Sequence, residues 1–419
     1  MKTSLIATAL IGMTIAAVYV YPSIGANIAG VSKTSPSVTP EARVVESAIT
    51  PIKDPQAVSA AQTQGKKIEV VFVLDTTGSM SGLIQGAKDN IWSIASSMAS
   101  AESAPTIKMG LVAYRDKGDD YVTKTVDLSE DLDTNYGTLM GFQANGGGDH
   151  PEDVNKGLYE AVSNMSWSQD KDTYRVIFLV GDAPPQSGYQ GEMKYPEIVE
   201  MAHSKGIVIN TIQCGNNADT LTSWKHIAQL SQGDFFQVEQ SGSAVALSTP
   251  FDKQIASLSR ELDGTRLFYG DKAEMEKKRV KVEATSIFNS SASDISIARK
   301  AEFNSTASGM LNFADDSELV DAFSSGRVEL DDISVEELPV ELQSLDESER
   351  QTVLTQKASK RKELQGQIAS LSRQRSEYLA KEIEQSSEVD ESIDYKIYQS
   401  VKAQAAEKGL VYSSEAPKY

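Results

Sequence analysis

The chain has 419 residues, of which 40% are hydrophobic and 24% charged, which is an ordinary balance for a globular protein with a sizeable core. Its formal charge of −19 argues against a phosphate-binding surface, because affinity for nucleic acids depends on Lys and Arg side chains that neutralise phosphates. Divalent cations and basic partners suit this charge better. The single cysteine, Cys214, excludes an internal disulfide.

Residues 1–26 have the layout of a secretory signal peptide or of an N-terminal membrane anchor. Lys2 precedes an apolar run from Leu5 to Val20, and small residues follow from Ser23 onward. The run is short for a helix that crosses a bilayer, so we favour cleavage over anchoring. Either alternative predicts export. An exported chain without disulfides fits a bacterial envelope, in the periplasm, at the cell surface or tethered to the membrane.

Residues 27–66 mix Ser, Thr, Pro, Ala and Gln without a hydrophobic period and predict a disordered linker. In residues 67–262, apolar strands alternate with amphipathic helices, which predicts an α/β fold with a Rossmann-like, doubly wound, mostly parallel six-stranded sheet. The predicted strands are Ile68–Leu74, Ile107–Tyr114, Tyr121–Leu128, Arg175–Val180, Ile207–Gln213 and Phe235–Val238. The predicted helices are Leu83–Met98, Thr134–Phe142, Glu152–Met165, Tyr195–Lys205, Ala218–Gln232 and Ala244–Leu262.

The remaining chain predicts helices without a second catalytic signature. Residues 263–345 indicate a helical and irregular extension, and residues 346–419 an amphipathic helical region. Within the latter, Leu364, Ile368, Leu371 and Tyr378 recur along one helix face. This seam fits either a helix packed on its own domain or a coiled coil that mediates self-association. We favour the first interpretation, because the seam is too short for a sustained heptad repeat.

One buried strand is predicted to end in a turn of oxygen-bearing side chains. The apolar run from Val70 to Leu74 leads into Asp75-Thr76-Thr77-Gly78-Ser79, so Asp75, Thr77 and Ser79 place hard oxygen donors at alternate positions. Carboxyl ends of parallel strands meet at one edge of a sheet, so Asp182, which follows another apolar strand, should lie nearby. The alternative interpretation is that the hydroxyls cap the next helix and the aspartate holds a turn.

This spacing resembles the Asp-x-Ser-x-Ser signature of the von Willebrand factor type A (VWA) family, with Thr77 at the first Ser. In that family the site is a metal-ion-dependent adhesion site (MIDAS), where hydroxyls bind the cation and acidic residues contact it through or alongside water. The resemblance implies that Thr77 and Ser79 bind a divalent cation, most readily Mg²⁺, with Mn²⁺ or Ca²⁺ as alternatives. It implies that Asp75 and Asp182 anchor the bound waters. The resemblance covers residues 67–262 only.

The third loop of the family's site carries a threonine after two glycines, and this chain departs from that pattern. It has Gly146-Gly147-Gly148-Asp149-His150-Pro151-Glu152-Asp153, so Asp149 is the expected replacement ligand and Glu152 the second candidate. Asp149 also suits a helix N-cap before Pro151, and both roles can coexist. The loop resembles the hemicentin-like VWA subtype and the VWA domains of alpha kinases, although the chain has no kinase portion. A carboxylate there should tighten a hard cation and weaken its pull on an external carboxylate.

Four further residues are accessory candidates at this edge of the sheet. Gly78 and Gly148 belong to the first and third loops of the predicted site. Arg115 and Asp116 follow the second strand, where they either line the site and meet a partner's charge or form a surface ion pair.

The function that the resemblance implies is metal-dependent binding of a protein partner, in adhesion or in assembly of an envelope complex. A partner's Glu or Asp would complete the coordination of the cation. The alternative is a scaffold that assembles through its C-terminal helices without a functional metal. A metal-dependent hydrolase is less favoured, because haloacid dehalogenase-like phosphatases need a second aspartate where Thr77 stands. We therefore expect no enzymatic activity and no nucleic-acid ligand.

Overall fold

The computed structural model describes residues 65–148, 151–238, 248–385 and 393–412. The predicted signal or anchor in residues 1–26 lies outside the described residues, as does nearly all of the predicted linker. The described residues belong to one compact unit that begins at Ala57. None of the helices in these ranges is long and apolar enough to cross a membrane.

The centre of the unit is a six-stranded sheet, as predicted. The strands are β1 (Lys67–Asp75), β2 (Thr106–Tyr114), β3 (Thr123–Ser129), β4 (Tyr174–Gly181), β5 (Ile207–Cys214) and β6 (Phe235–Val238). Their order is β3-β2-β1-β4-β5-β6. Every neighbouring pair is parallel except β2 and β3, which pair antiparallel at one edge. The mostly parallel α/β fold is therefore confirmed.

In the described ranges, five helices lie between these strands, and eight follow the last strand, beginning with α6. The first group is α1 (Ile84–Ala99), α2 (Leu132–Gly141), α3 (Val154–Ser163), α4 (Tyr195–Ser204) and α5 (Ala218–Leu230). The second group is α6 (Asp252–Asp263), α7 (Lys272–Ser291), α8 (Asp294–Asn304), α9 (Ala307–Phe313), α10 (Leu319–Ser324), α11 (Val340–Gln343), α12 (Glu347–Gln385) and α13 (Ile393–Ala406). Short 3₁₀ turns lie at Gly78–Gly82, Leu330–Asp332 and Val335–Glu337.

The two central strands are apolar throughout because both of their faces are covered. Val70 and Phe72 of β1 face the core beneath α1, where the ring of Phe72 stacks on Phe178 of β4 at 5.6 Å between centroids. Val71 and Val73 face the opposite core beneath α3, α4 and α5. An unbroken apolar run thus fixes β1 in the middle of the sheet and brings its C-terminal end to the edge where the loops gather.

The start of α3 differs from the sequence-based prediction. The helix begins at Val154, and its N-cap is Asp153, whose Oδ1 accepts a hydrogen bond from the N–H of Lys156 at 3.0 Å. The expectation that Asp149 caps this helix is therefore wrong, because the chain between Pro151 and Asp153 is not yet helical. Asp149 itself lies outside the described residues.

The C-terminal helices pack onto the sheet-bearing part of the chain. Trp92 of α1 stacks on Tyr136 of α2, and Phe288 of α7 meets both rings edge-on. Helix α13, which lies within the amphipathic helical region predicted for residues 346–419, buries Tyr398 and Val401 in the same core. The C-terminal region thus extends the hydrophobic layer beside α1 and α2.

Two of the four residues in the apolar seam of α12, Leu364 and Ile368, are buried within the chain, and the other two are half-buried. Leu364 and Ile368 are fully buried in a cluster with Ile255 and Leu258 of α6. Arg375, on the same helix, donates from Nε to Asp252 Oδ1 at 2.7 Å. These contacts agree with the interpretation that the helix packs on its own domain, and they remove the seam from the surface that a coiled-coil partner would need.

Candidate metal centre

Four predicted site residues lie in one continuous series of polar contacts at the end of β1. Thr77 donates to Asp75 Oδ1 from its backbone N–H at 2.9 Å and from Oγ1 at 2.7 Å. The hydroxyls of Thr77 and Ser79 lie 3.1 Å apart. Ser79 Oγ then donates to Asp182 Oδ1 at 2.9 Å, which joins the loop after β1 to the loop after β4. The expected convergence of these two loops is therefore present.

The chemistry of this set fits a hard divalent cation. A hydroxyl that donates its proton to a carboxylate keeps lone pairs for a metal, and Thr77 and Ser79 both do so. Asp75 is fully buried, and its Oδ2 has no hydrogen-bond partner among the described residues, although buried carboxylate oxygens are normally paired or bound to metal. Ser79 is exposed, so the set opens to solvent at this residue.

The glycine loop after α2 is tied to the first loop by its backbone. Gly78 N donates to Gly146 O at 2.9 Å. A Cβ at position 78 would itself lie 2.9 Å from that oxygen, so this contact requires glycine. Gly146 and Gly147 have φ values of 76° and 71°, in the left-handed region that favours glycine. Gly148 has open space around it, so sterics do not demand a glycine there.

Glu152 lies at this site between the glycine loop and the loop after β4. Its N–H donates to Pro184 O at 3.2 Å, and its carbonyl accepts from Gln186 N at 2.8 Å. The residue is 3% exposed, and its Oε2 has no hydrogen-bond partner within the part of the chain that the structure describes. A Cβ built on Gly147 would lie 3.0 Å from Glu152 Oε1 and 3.1 Å from Thr77 Cβ, so both side chains flank Gly147. Among the third-loop candidates, Glu152 is the one whose position is described.

Helix α5 and the end of β4 support the site through contacts that sequence reasoning missed. Thr220 Oγ1 donates to the carbonyl of Asp182 at 2.9 Å, and Trp224 Nε1 donates to that of Ala183 at 3.1 Å. A Cβ at Gly181 would lie 2.8 Å from Asp75 Cβ and 2.6 Å from the Tyr114 hydroxyl. The glycine before Asp182 is a sequence signal that the backbone of β4 approaches Asp75 closely. The contacts from Thr220 and Trp224 in α5 have no such signal in the local sequence.

Arg115 and Asp116 are both buried, and Arg115 also forms an ion pair with the exposed Asp120 at 3.8 Å. Arg115 is buried, and its guanidinium donates to the carbonyl oxygens of Thr76 at 3.0 Å and Gln143 at 2.9 Å. Asp116 is also buried and accepts from the Tyr189 hydroxyl at 2.6 Å. The expectation that these charges face a partner is therefore corrected, because Arg115 clamps the first and third loops together and Asp116 holds the loop after β4.

Several buried carboxyl groups crowd this edge of the sheet and oppose one another's ionisation. Burial raises the pKa of Asp75 to about 7, and repulsion from Asp182 adds to the rise. Burial also raises the pKa of Glu152 to about 8, with further contributions from Asp75, Asp116 and Asp119. A bound cation would favour the ionised forms of these groups.

The described residues contain no group of three or more His, Cys, Asp or Glu side chains placed to hold a metal ion. The candidate centre is therefore not a carboxylate or histidine cluster. Its donors are the Thr77 and Ser79 hydroxyls with the carboxylates of Asp75 and Asp182, a set of oxygen atoms that suits Mg²⁺, Mn²⁺ or Ca²⁺.

Comparisons with solved structures find low overall similarity. A von Willebrand factor type A protein from Catenulispora acidiphila is 14% identical with a TM-score of 0.33, over 43% of this chain and 40% of that one. Proximal thread matrix protein 1 from the mussel byssus, solved with a zinc-occupied MIDAS motif, is 13% identical with a TM-score of 0.33, over 52% and 46%. The SpRpn10 VWA domain is 13% identical with a TM-score of 0.32, over 42% and 89%.

This chain thus spans less than half the length of the first two proteins. No curated protein matches it. Residues 69–243 match the family model described as von Willebrand factor A domain. That segment holds all six strands except the first two residues of β1. Residues 69–243 of this chain therefore form a von Willebrand factor A domain.

Proposed function

We propose that the chain is an exported or membrane-tethered protein whose VWA domain binds a protein partner through a divalent cation, in adhesion or in assembly of an envelope complex. The observation that carries this proposal is the convergence of two hydroxyls, 3.1 Å apart, that donate to Asp75 and Asp182. It joins two loops through hydroxyl and carboxylate oxygens, and it reaches solvent at Ser79.

Each residue has a distinct role in this proposal. The hydroxyls of Thr77 and Ser79 hold the cation, most readily Mg²⁺. Asp75 and Asp182 orient those hydroxyls by accepting their hydrogen bonds. When bound, the cation supplies a fixed positive charge among buried carboxylates. Arg115 keeps the first and third loops together through the carbonyls of Thr76 and Gln143. The partner then contacts a surface whose shape depends on the metal.

The two alternatives have less support. A scaffold that assembles through the seam of α12 would need Leu364 and Ile368 at the surface, but both are buried against α6 and α8. A hydrolase of the haloacid dehalogenase type would need an acid at position 77, where a threonine donates to Asp75. We propose a binding protein without enzymatic activity, directed to the envelope by its N-terminal segment.

A thermal-shift titration tests the metal site. We expect Mg²⁺, Mn²⁺ or Ca²⁺ to raise the unfolding temperature of the chelator-treated protein, since a ligand that binds only the folded state stabilises it, by about 2.7 kcal/mol at a hundredfold excess over Kd. The shift should vanish in Asp75→Ala and Ser79→Ala. It should remain in Ser81→Ala, which removes an exposed hydroxyl two residues away. If the cations do not raise the unfolding temperature of the parent protein, the proposed metal site is contradicted and the scaffold without a functional metal is favoured.

A pull-down from an envelope extract tests the partner. We expect proteins captured by the parent protein to be lost with a chelator and with Ser79→Ala, but kept with Ser81→Ala. Capture that ignores both the chelator and Ser79→Ala would contradict metal-dependent binding. Turnover of a generic phosphate ester that disappears in Asp75→Ala would instead favour the hydrolase.

A further inference from the structure

We propose that Asn145 is a site of spontaneous deamidation, and that the isoaspartate formed there breaks the backbone contacts between the glycine loop after α2 and the loop after β1. The chemical step does not depend on the proposed function. Its effect on cation binding does rest on that function, because the two loops meet beside the candidate metal centre. The inference adds a covalent change that alters this edge of the sheet with time.

The reaction needs only the protein and water. The backbone nitrogen of Gly146 attacks the side-chain carbon Cγ of Asn145, and the new C–N bond closes a five-membered succinimide ring. The side-chain amide nitrogen takes up the proton of the attacking N–H and leaves as ammonia. Water then opens the ring at either carbonyl, which gives aspartate or isoaspartate at position 145. In isoaspartate the main chain runs through the former side-chain carbonyl and gains one carbon atom.

The local structure leaves the reacting atoms accessible. Asn145 is exposed, and Gly146 has a φ of 76° and no Cβ that would shield its nitrogen. Among the described residues, no hydrogen bond engages the N–H of Gly146 or the side-chain amide of Asn145. The two groups can therefore approach each other. This pair is also the single Asn-Gly sequence in the chain.

The single Asp-Gly pair of the chain, which could form the same ring, is protected by its surroundings. Asp263-Gly264 lies at the end of α6, where Gly264 N donates to Arg260 O at 3.3 Å. The side chain of Asp263 is 7% exposed and pairs with Lys300 at 3.2 Å. These contacts hold the nitrogen and the carboxyl group in place, so we expect isoaspartate at position 145 and not at position 263.

The extra carbon falls between two hydrogen bonds that join the loops. Asn145 N donates to Thr76 O at 3.0 Å, and Gly146 O accepts from Gly78 N at 2.9 Å. Isoaspartate lengthens the main chain between these atoms by about 1.5 Å, the length of one C–C bond. Because hydrogen bonds weaken steeply when their geometry is distorted, the two bonds cannot both be kept.

Asp119 prevents the glycine loop from absorbing the added length. Its carboxylate accepts from Gly147 N, at 3.0 Å to Oδ1 and 2.9 Å to Oδ2. A Cβ built on Gly146 would lie 2.4 Å from Asp119 Oδ1, so the loop packs tightly against this side chain. The chain is thus fixed two residues after Asn145, and the displacement falls on the contacts with the loop after β1.

Ageing of the full chain at mildly alkaline pH tests the chemical step. Peptide mass spectrometry locates deamidated residues, and isoaspartyl methyltransferase labels isoaspartate. We expect Asn145 to deamidate more than about tenfold faster than Asn216, an exposed residue at the same edge whose neighbour Asn217 carries a side chain. Asn145→Gln should remove the signal, since glutamine would have to close a larger ring. Deamidation of Asn145 no faster than that of Asn216 would overturn the proposal.

Hydrogen exchange of the Gly78 amide, followed by nuclear magnetic resonance, tests the structural effect. In the purified isoaspartate form we expect this amide to exchange at least about tenfold faster than in the fresh protein. Mn²⁺ affinity, measured by electron paramagnetic resonance, should fall about tenfold. Asn145→Asp adds the charge without the extra carbon, so its Gly78 amide should still exchange slowly.

Unchanged exchange of the Gly78 amide in the isoaspartate form would overturn the structural part of the proposal. Equally fast exchange in Asn145→Asp would also overturn it, because charge and not the longer main chain would then separate the loops. Failure of the proposed function is distinct. The fresh protein would then bind no Mn²⁺, while deamidation and Gly78 exchange would still decide this inference.

Discussion

Gly181 lies so close to Asp75 on the neighbouring strand that no side chain fits between them. A Cβ at position 181 would stand 2.8 Å from Asp75 Cβ and 3.0 Å from its Oδ2. We expect Gly181→Ala to displace the Asp75 carboxylate and to weaken Mn²⁺ binding about tenfold or more, measured by paramagnetic resonance titration.

Gly86 provides the matched control for this substitution. It lies in α1, and a Cβ there would meet nothing within 4 Å. We expect Gly86→Ala to leave Mn²⁺ affinity unchanged and to stabilise the protein by about 0.5–1 kcal/mol through the better helix propensity of alanine. Equal metal affinity in both variants would show that the space around Gly181 has no bearing on the site.

A second prediction concerns the buried charges that join α2 to the C-terminal helices. Asp133 is 2% exposed, accepts from Arg266 Nη1 at 2.8 Å and pairs with Lys300 Nζ at 3.1 Å. Although burial opposes ionisation, Lys300 and Arg266 hold the pKa of Asp133 well below its usual range. We expect Asp133→Ala to cost about 3–5 kcal/mol in urea unfolding, because two buried cations lose one carboxylate partner and are left to share Asp263.

The surface pair of Arg260 and Asp294 serves as the comparison. Its atoms lie 3.0 Å apart, but the side chains are 39% and 43% exposed. Asp294→Ala should therefore cost less than about 1 kcal/mol. If Asp133→Ala costs no more than this, the buried cluster does not stabilise the union of the sheet with the C-terminal helices.

The sheet and the meeting of the loops after β1 and β4 were predictable because local sequence patterns indicate them. The run from Val70 to Leu74 lacks alternation because helices cover both of its faces, and this indicates a central parallel strand. Carboxyl ends of such strands share one edge, so Asp75 and Asp182 were expected to meet although they are far apart in sequence.

The rest of the site depends on contacts that no local pattern contains. Arg115 follows a strand end, where a charged side chain usually faces solvent. It is buried instead, and it donates hydrogen bonds to the carbonyl oxygens of Thr76 and Gln143, which are 39 and 28 positions away in sequence. The buried face of α13 indicates a helix, but which part of the sheet it packs on depends on residues far away in sequence, such as Asn210, whose side chain hydrogen-bonds Gln404. These positions follow from tertiary packing, which overrides local propensity.

Cys214 offers a test of the packing at the end of β5. The thiol is 3% exposed, and burial raises its pKa far above its usual value. We expect a thiol reagent such as dithionitrobenzoate to label the native protein more than about a thousandfold more slowly than the urea-unfolded chain, since reaction would require unfolding. Rapid labelling of the native protein would contradict the closed packing of β5 against its neighbours.

The last prediction concerns pH and the charges around Arg375. Glu302 and Asp252 share this one buried guanidinium, at 3.1 Å and 2.7 Å. Burial raises the pKa of Glu302 from 4.5 to about 7, although Arg375 and Arg299 oppose the rise. A carboxyl whose folded pKa is raised gives stability that is present below its unfolded pKa and is lost as pH rises through the folded pKa.

Glu302→Gln removes this titration, so the variant should gain stability relative to the parent between pH 4.5 and 7. The gain is on the order of 3 kcal/mol at most, since each pKa unit corresponds to about 1.4 kcal/mol. Urea unfolding of both proteins at pH 4 and pH 8, in the presence of a chelator, measures the difference. At pH 4 the side chain at position 302 is neutral in both proteins. The difference in their free energies of unfolding then depends only on how well glutamic acid and glutamine hydrogen-bond to Arg375. A gap that stays constant from pH 4 to pH 8 would mean that Glu302 ionises as readily in the folded protein as in the unfolded chain.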